Sequence, residues 1–203
     1  MTHSYSTNSA ERRYIPFFIA AVAIGSTFVA FNFLDRYRIE PPWWASPPID
    51  TMAFYGLAFW LFDRFIWKWR PLRWLRITIV PDVSGEWRGR VRPAPTAGVS
   101  AGMVEEIDIE LSIRQTCSEL LVTGRTQNSK SRSLSGSFVV ADEYSLGYEY
   151  LNEPSAPAPA TMHTHHGVAR LTANPDCTVL EGEYFSGRDR QNIGTIRVMR
   201  VPR

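Results

Sequence analysis

The sequence lacks most of the features that mark secreted or catalytic proteins. It contains 2 cysteines, Cys117 and Cys177, which are too few and too far apart to predict a disulfide framework or a zinc site. It has no N-x-S/T sequon, no glycine-rich phosphate motif, no G-x-S-x-G elbow, no H-E-x-x-H and no C-x-x-C. These absences exclude a disulfide-stapled secreted domain. They also leave no visible nucleophile and base, so we expect a protein that is not an enzyme and holds no metal or cofactor.

The whole-chain composition of the 203 residues hides two unlike parts. A hydrophobic content of 44% and a mean hydropathy of -0.18 resemble an average soluble protein. Six of the 7 tryptophans nevertheless precede residue 81. Residues 1–80 carry 9 Lys/Arg against 5 Asp/Glu, whereas residues 81–203 carry 13 against 15. The chain therefore combines two different environments.

Residues 15–34, IPFFIAAVAIGSTFVAFNFL, form a run of 20 residues without a charge, bracketed by basic residues on both sides. At about 1.5 Å per residue, such a helix matches a bilayer core of roughly 30 Å. A cleaved signal peptide is the alternative, but no small-x-small cleavage pattern follows the run. The run predicts a first transmembrane helix behind a polar amino-terminal segment, residues 1–14.

A second apolar run predicts a second transmembrane helix at residues 49–69. It ends in Trp67, Lys68 and Trp69, and tryptophan beside a cation is typical of a membrane interface. The proline-rich hairpin loop, residues 35–48, cannot continue a helix. A helix buried in a soluble core is the alternative for this second run. Residues 70–80 serve as a juxtamembrane connector to the remainder of the chain.

The flanking charges predict the orientation of this hairpin. The amino-terminal flank and the stretch after the second helix together carry seven Lys/Arg, whereas the hairpin loop carries two. The positive-inside rule therefore places the larger domain in the cytoplasm, behind a multi-pass membrane anchor.

Small residues recur at helical spacing on the first predicted helix. Ala21 and Gly25 are one pair, and Ser26 and Ala30 are the other. Such steps permit close helix contact in lipid. They predict either packing between copies of the chain or relief of crowding within the hairpin.

Residues 81–203 show strand periodicity and no helical stripe. Ile107, Ile109, Leu111 and Ile113 alternate with polar residues, which indicates a half-buried strand. We predict eight short strands, near residues 84–92, 104–115, 118–126, 131–140, 144–152, 162–172, 178–185 and 191–200. Antiparallel strands in sequence order predict an all-β up-and-down barrel, and a β-sandwich is the alternative. A closed eight-stranded barrel leaves room for one small ligand.

The first strand opens with Gly85, Glu86 and Trp87, like the G-x-W opening of lipocalin-type barrels, in which the tryptophan closes one end. Trp87 is therefore predicted to be a structural plug rather than a ligand contact.

The candidate ligand site combines aromatic, amide and cationic side chains. Strand alternation places Tyr148, Tyr150 and Asn152 on one face, where phenol rings can stack on bases and an amide can bind a base edge. Arginines can neutralise phosphates with two hydrogen bonds each. His163 and His165 share a strand face without a third metal ligand, and one histidine of the cluster is predicted to point inward. The predicted ligand-binding set is Arg132, Tyr148, Tyr150, Asn152, His166, Tyr184, Arg188 and Arg190.

Five segments follow the two-helix hairpin in a fixed order: PDVSGEWRG at 81–89, SKSRS at 129–133, YEYLN at 148–152, HG at 166–167 and GEYFSGR at 182–188. This order resembles the two-transmembrane β-barrel effectors of bacterial cyclic-oligonucleotide antiphage signalling systems (CBASS). These are proteins associated with CD-NTases, and they carry a minimal lipocalin-like sensor.

The resemblance implies a function. A CD-NTase that senses phage makes a cyclic dinucleotide, the barrel binds it, and the effector oligomerises in the inner membrane and kills the infected cell. The implied partners are the cyclic dinucleotide, the bilayer and other copies of the chain, and not a DNA or RNA polymer. A membrane-tethered lipocalin-like barrel that binds a lipid or another small apolar ligand is the alternative.

Overall fold

The computed structural model describes residues 2–94, 105–141, 143–156, 158–159, 162–187 and 192–202. The chain divides into two compact units. Ser9–Ile79 form a helical unit. Met1–Asn8 and Val80–Arg203 together form a β-sheet unit. The amino-terminal residues therefore belong to the same unit as the carboxy-terminal half of the chain.

Two helices make up most of the first unit. Helix α1 covers Glu11–Arg36 and helix α2 covers Pro47–Arg64, which begins with two prolines, as favoured at a helix start. A 3-10 turn, Ile66–Lys68, and a short helix α3, Arg70–Trp74, follow. Among the described helices, α1 alone is long and apolar enough to cross a membrane by length and composition. The second predicted helix is shorter than expected, because α2 ends at Arg64.

The two helices pack through one face of α1. Its buried residues, Ile15, Ile19, Ala23 and Thr27, recur every fourth position. The hydroxyl of Thr51 on α2 donates to the hydroxyl oxygen of Thr27 at 2.9 Å. This hydrogen bond joins the two helices at a partly buried position.

The two ends of the hairpin are joined to each other. The amide of Ile79 donates to the Glu11 carboxylate at 3.0 Å, which links the start of α1 to the chain that follows α3. The hydroxyl of Thr78 donates to the Trp67 carbonyl at 3.0 Å, and the Trp67 side chain is buried. The helical unit therefore begins and ends at the same place.

The second unit contains two short strands, β1 (His3–Ser4) and β2 (Ser6–Thr7), and eight longer ones. These are β3 (Gly85–Pro93), β4 (Ile107–Gln115), β5 (Glu119–Arg125), β6 (Ser129–Val140), β7 (Tyr144–Pro154), β8 (His165–Ala173), β9 (Val179–Ser186) and β10 (Ile193–Arg200). Strands β3 to β10 pair antiparallel in sequence order. Pairing of β10 with β3 closes the barrel, as predicted.

The barrel core follows from strand alternation. On β4, Ile109, Leu111 and Ile113 are buried, while Asp108 and Glu110 point outward. Leu, Val and Ala side chains from the other strands complete one continuous apolar cluster. The side chains of this cluster fill one end of the barrel and leave the other end open.

Strands β1 and β2 are not anticipated by the sequence, which assigns residues 1–14 to a polar flank. Strand β1 pairs antiparallel with β5, and β2 pairs parallel with β6. Two-residue strands carry no detectable periodicity, so no pattern in the sequence indicates them.

Candidate ligand-binding cavity

The open end of the barrel holds a cavity of about 910 Å³, counting the space at its mouth. Its described lining consists of Val91, Pro93, Ile107, Ile109, Leu111, Gly124, Thr126, Asn128, Ser129, Ser131, Tyr148, Tyr150, Asn152, Met162, His165, Tyr184, Ser186, Asn192 and Ile196. Apolar residues of β3, β4 and β10 face polar residues of β5 to β8 across it. The cavity is thus apolar on one side and rich in hydrogen-bonding groups on the other.

Strand β7 supplies three of the lining side chains, Tyr148, Tyr150 and Asn152. They alternate with outward residues along the strand, as the sequence predicts. Their role in ligand binding stays a prediction. The rings of Tyr148 and Tyr150 are neighbours, with centroids 6.0 Å apart and planes inclined by 51°.

Two tyrosine rings lie against glycines of neighbouring strands. A methyl group at Gly167 of β8 would overlap the ring of Tyr150, which pairs with Gly167 in the strand register. A methyl group at Gly194 of β10 would overlap the ring of Tyr184 in the same way. Glycine at these positions therefore leaves the space that each ring occupies, and the tyrosine and glycine pairs shape the cavity wall.

Burial changes the chemistry of Tyr148. Its side chain is almost fully enclosed, and desolvation raises the pKa of its phenol above the ordinary value of 10.0, with a smaller contribution from Tyr150. The group therefore stays protonated at neutral pH. It can donate one hydrogen bond to an anionic or carbonyl oxygen in the cavity.

The turn between β5 and β6 supplies the densest group of polar side chains. The hydroxyl oxygens of Thr126 and Ser129 lie 3.0 Å apart, and Ser131 and Asn128 extend the group along the wall. On β8, a ring nitrogen of His165 lies 2.9 Å from the carbonyl oxygen of His163. Hydroxyl and amide groups of this kind can bind phosphate oxygens or base edges without carrying a charge.

The described lining contains no Asp, Glu, Lys or Arg. Arg132 was predicted to lie in the pocket, but it is exposed on β6 between the inward residues Ser131 and Ser133. His166 was also predicted there, but its ring points outward and lies 3.5 Å from the Glu149 carboxylate. The inward histidine of this strand is its neighbour, His165. Both corrections follow from alternation, because adjacent strand residues face opposite sides.

Arg188 and Arg190 lie outside the described residues. Ser186 and Asn192, which precede and follow residues 188–191, both line the cavity. The predicted role of the two arginines in ligand binding stays a prediction.

Trp87 lies away from the cavity and is fully buried. Its indole nitrogen donates to the Val83 carbonyl at 3.0 Å, and the Arg200 guanidinium lies 5.3 Å from the ring centroid. Trp87 is thus held by contacts within the barrel core. Its role as a structural plug stays a prediction. Among the described residues, no cluster of three His, Cys, Asp or Glu side chains could hold a metal ion.

Of the predicted packing residues of the first helix, Ala21 and Gly25 are exposed, and Ser26 and Ala30 are half-buried. Gly25, Ser26 and Ala30 line one shallow apolar groove, and Ala21 is exposed one turn before Gly25. The face buried against α2 is a different one, formed by Ile15, Ile19, Ala23 and Thr27. The role of these small residues in packing between copies of the chain stays a prediction.

Two family models match the chain and divide it as the structure does. Residues 78–200 match the model described as Cap15, cyclic dinucleotide receptor domain. Residues 13–68 match the model described as Cap15, TM helices. The chain belongs to the Cap15 family. This confirms the resemblance to membrane effectors of CBASS and the predicted fold, a closed barrel behind transmembrane helices.

A curated Cap15 relative is also similar over most of its length. The protein named CD-NTase-associated protein 15, from Yersinia aleksiciae, is 28% identical over 190 residues. The match covers 91% of this chain and 86% of the relative. The similarity therefore spans both the helices and the barrel of a Cap15 protein.

Proposed function

We propose that the protein is a membrane-anchored effector of CBASS antiphage defence whose barrel binds a cyclic dinucleotide. Binding promotes oligomerisation of the transmembrane helices, and the inner membrane of the infected cell then loses its integrity. The observation that carries the proposal is the cavity lined by tyrosine, asparagine and hydroxyl groups, in a domain that matches a cyclic dinucleotide receptor model.

The cavity offers a partner for each part of such a ligand. The rings of Tyr150 and Tyr184 present faces on which bases can stack. The amide of Asn152 can exchange two hydrogen bonds with a base edge. The hydroxyl groups of Ser129 and Ser131, with Arg188 and Arg190 as predicted, would meet the two phosphates. An apolar wall behind the bases excludes water and strengthens these hydrogen bonds.

The location of the barrel in the cytoplasm rests on chain connectivity and charge. Met1–Asn8 belong to the same unit as Val80–Arg203, which supports an entry and an exit of the hairpin on one side of the membrane. Seven Lys/Arg flank that side, whereas two, Arg36 and Arg38, lie at the opposite end of the hairpin. The positive-inside rule then favours the cytoplasm for the barrel.

Oligomerisation would use the exposed groove on α1. Small residues at Gly25, Ser26 and Ala30 let helix backbones approach closely, and van der Waals packing then stabilises the contact in lipid. A ligand promotes assembly only when it binds the assembled state more tightly. We therefore expect ligand binding at the barrel to alter the hairpin so that its α1 groove can assemble.

Calorimetry of the full chain in a mild detergent, against a panel of cyclic dinucleotides, tests the proposal. Replacement of Tyr150 by Ala removes one stacking surface and should weaken binding about tenfold or more. Arg132→Ala is the matched control, because this outward residue of β6 should leave the affinity unchanged. Failure of the wild-type protein to bind every member of the panel would sink the proposal.

The same calorimetry, with a fatty acid added to the panel, tests the two alternatives, a lipid-binding barrel and an enzyme. Binding of a fatty acid but of no cyclic dinucleotide would favour the lipocalin-like reading, in which the apolar wall carries the affinity. Appearance of a linear or mononucleotide product in the sample would show that the protein is an enzyme. Each outcome is read from one sample by heat and by chromatography.

A further inference from the structure

The barrel wall has a weak point between β5 and β6. These two strands share only three ladder pairs in the described structure, from Thr123 with Arg132 to Arg125 with Lys130. Beyond them, β6 has an irregularity between Ser133 and Ser135 in its pairing with β7. There the amide of Val122 donates to the Ser133 hydroxyl at 2.9 Å instead of to a backbone carbonyl. The parts of β5 and β6 beyond these three pairs can therefore pair with another strand.

Residues 2–8, the amino-terminal segment, occupy that opening. His3 and Ser4 pair with β5, and Ser6 and Thr7 pair with β6. At the end of the segment, the side-chain amide of Asn8 donates to the Val140 carbonyl at 3.0 Å and its oxygen accepts from the Val140 amide at 2.8 Å. The segment thus replaces the missing ladder between β5 and β6 with its own hydrogen bonds.

Two side chains anchor the segment in the wall. Tyr5 is 4% exposed, packs edge-on against Phe138 with ring centroids 5.5 Å apart, and donates to the Thr116 carbonyl at 3.3 Å. A ring nitrogen of His3 lies 2.7 Å from the Ser133 hydroxyl oxygen. Tyr5 is thus a member of the barrel core although it precedes the first transmembrane helix.

The segment joins the cavity to α1 over a short path. Ser129 and Ser131 of β6 line the cavity, and Ser133, the next inward residue of that strand, contacts His3. At the other end, only Ser9 and Ala10 separate Asn8 from the first residue of α1. A change in β6 at the cavity can therefore reach the start of α1 without passing through α2.

We infer that the amino-terminal segment transmits occupancy of the cavity to α1. The inference rests on the proposed function. A ligand that contacts both β5 and β6 binds best when these two strands are held together. The docked amino-terminal segment holds them together. Ligand binding and docking then stabilise each other, and the two effects are equal by linkage. The occupied barrel holds the start of α1 more firmly, which favours assembly of the exposed α1 face.

A linker insertion separates transmission from binding. Insertion of Gly-Ser-Gly between Ser9 and Ala10 lengthens the link while residues 2–8 keep every contact with the barrel. The matched control carries the same three residues between Met1 and Thr2, ahead of the segment. Three quantities are measured on the full chain in lipid nanodiscs and vesicles: cyclic dinucleotide affinity, amide hydrogen exchange at residues 3–8 and ligand-triggered dye release.

In the wild type and the control, the ligand should slow exchange at residues 3–8 about fivefold or more, the low end of ordinary coupling. The insertion variant should keep the wild-type ligand affinity and the slowed exchange at residues 3–8, but it should lose dye release. Normal dye release from the insertion variant, or exchange that the ligand does not change, would overturn the inference. A wild type that binds no cyclic dinucleotide would overturn the proposed function as well.

A second pair of variants tests the reciprocal effect. Tyr5→Ala combined with Asn8→Ala loosens the segment and should weaken ligand affinity about fivefold or more, because docking and binding are coupled. Ser6→Ala, an exposed position of the same segment, should leave affinity unchanged. Unchanged affinity in the double variant, with faster exchange at residues 3–8, would contradict the coupling.

Discussion

Trp87 is held by three kinds of interaction at once: full burial, a hydrogen bond to Val83 and the guanidinium of Arg200 over its ring. Trp87→Ala should therefore lower the free energy of unfolding by about 3–5 kcal/mol, the range for buried aromatic truncations. Urea unfolding of the full chain in detergent, followed by the β-sheet circular dichroism signal, measures this. Trp43→Ala is the control, because Trp43 is 94% exposed. Unchanged stability with abolished ligand binding would instead make Trp87 a ligand contact.

Tyr148 should make stability depend on alkaline pH. Burial raises the pKa of its phenol above 10.0, so folding favours the protonated form. Its contribution to stability is complete below about pH 10 and falls as the pH rises further, because the unfolded chain ionises first. Tyr148→Phe keeps the ring and removes this loss. Urea midpoints at about pH 9 and pH 11 should therefore differ less in the variant than in the wild type. Equal differences would contradict the assignment.

At single residues, the sequence predicts less of the site than of the fold. Alternation correctly groups Tyr148, Tyr150 and Asn152, since they occupy every second position of one strand and so share one face. The same alternation turns Arg132 of β6 and His166 of β8 outward, although the chemistry of both side chains suits a phosphate. The histidine that faces the cavity is His165 and not His166.

At the scale of elements, the exposed face of α1 provides the next prediction. A Cβ atom added at Gly25 meets nothing within 4 Å in a single chain, so we expect Gly25→Leu to leave the hairpin and ligand affinity intact. It fills the groove, however, and should reduce dye release about tenfold, because a loss of about 1.4 kcal/mol from helix packing lowers the association constant by that factor.

Gly56→Leu on α2 is the matched control for this change, because an added side chain there also meets nothing within 4 Å. It adds the same volume away from the groove and should keep dye release near the wild-type level. Crosslinking in nanodiscs reports assembly directly. Wild-type assembly and release by the Gly25 variant would show that another face makes the oligomer.

Elements with a long, regular pattern are predictable from the sequence, and short ones are not. All eight barrel strands lie within a few residues of their expected positions, because each alternates over at least seven residues. Strands β1 and β2 have two residues each, and they form where β5 and β6 do not pair with each other. That gap is a property of the folded barrel, so local sequence cannot reveal it.

At the scale of the whole molecule, the path of the chain limits the membrane topology. Residues before α1 and residues after α3 belong to one unit, so the helices between them should cross the bilayer an even number of times. Although α2 carries Asp50, Asp63 and Arg64, these lie near its ends, where charged side chains reach the headgroups. Two crossings are therefore expected, with the loop between α1 and α2 in the periplasm.

Cysteine labelling tests this topology in the whole cell. In a Cys117→Ser background, with Cys177 left in place because it is buried, Glu40→Cys marks the loop and Glu183→Cys marks the outer surface of the barrel. A membrane-impermeant maleimide should label Glu40→Cys in spheroplasts and should label Glu183→Cys only after lysis. If α1 alone crossed the membrane, both positions would lie on the same side and would label alike. That result would also require the amino-terminal segment to leave the barrel, because residues 2–8 would then lie on the opposite side of the bilayer.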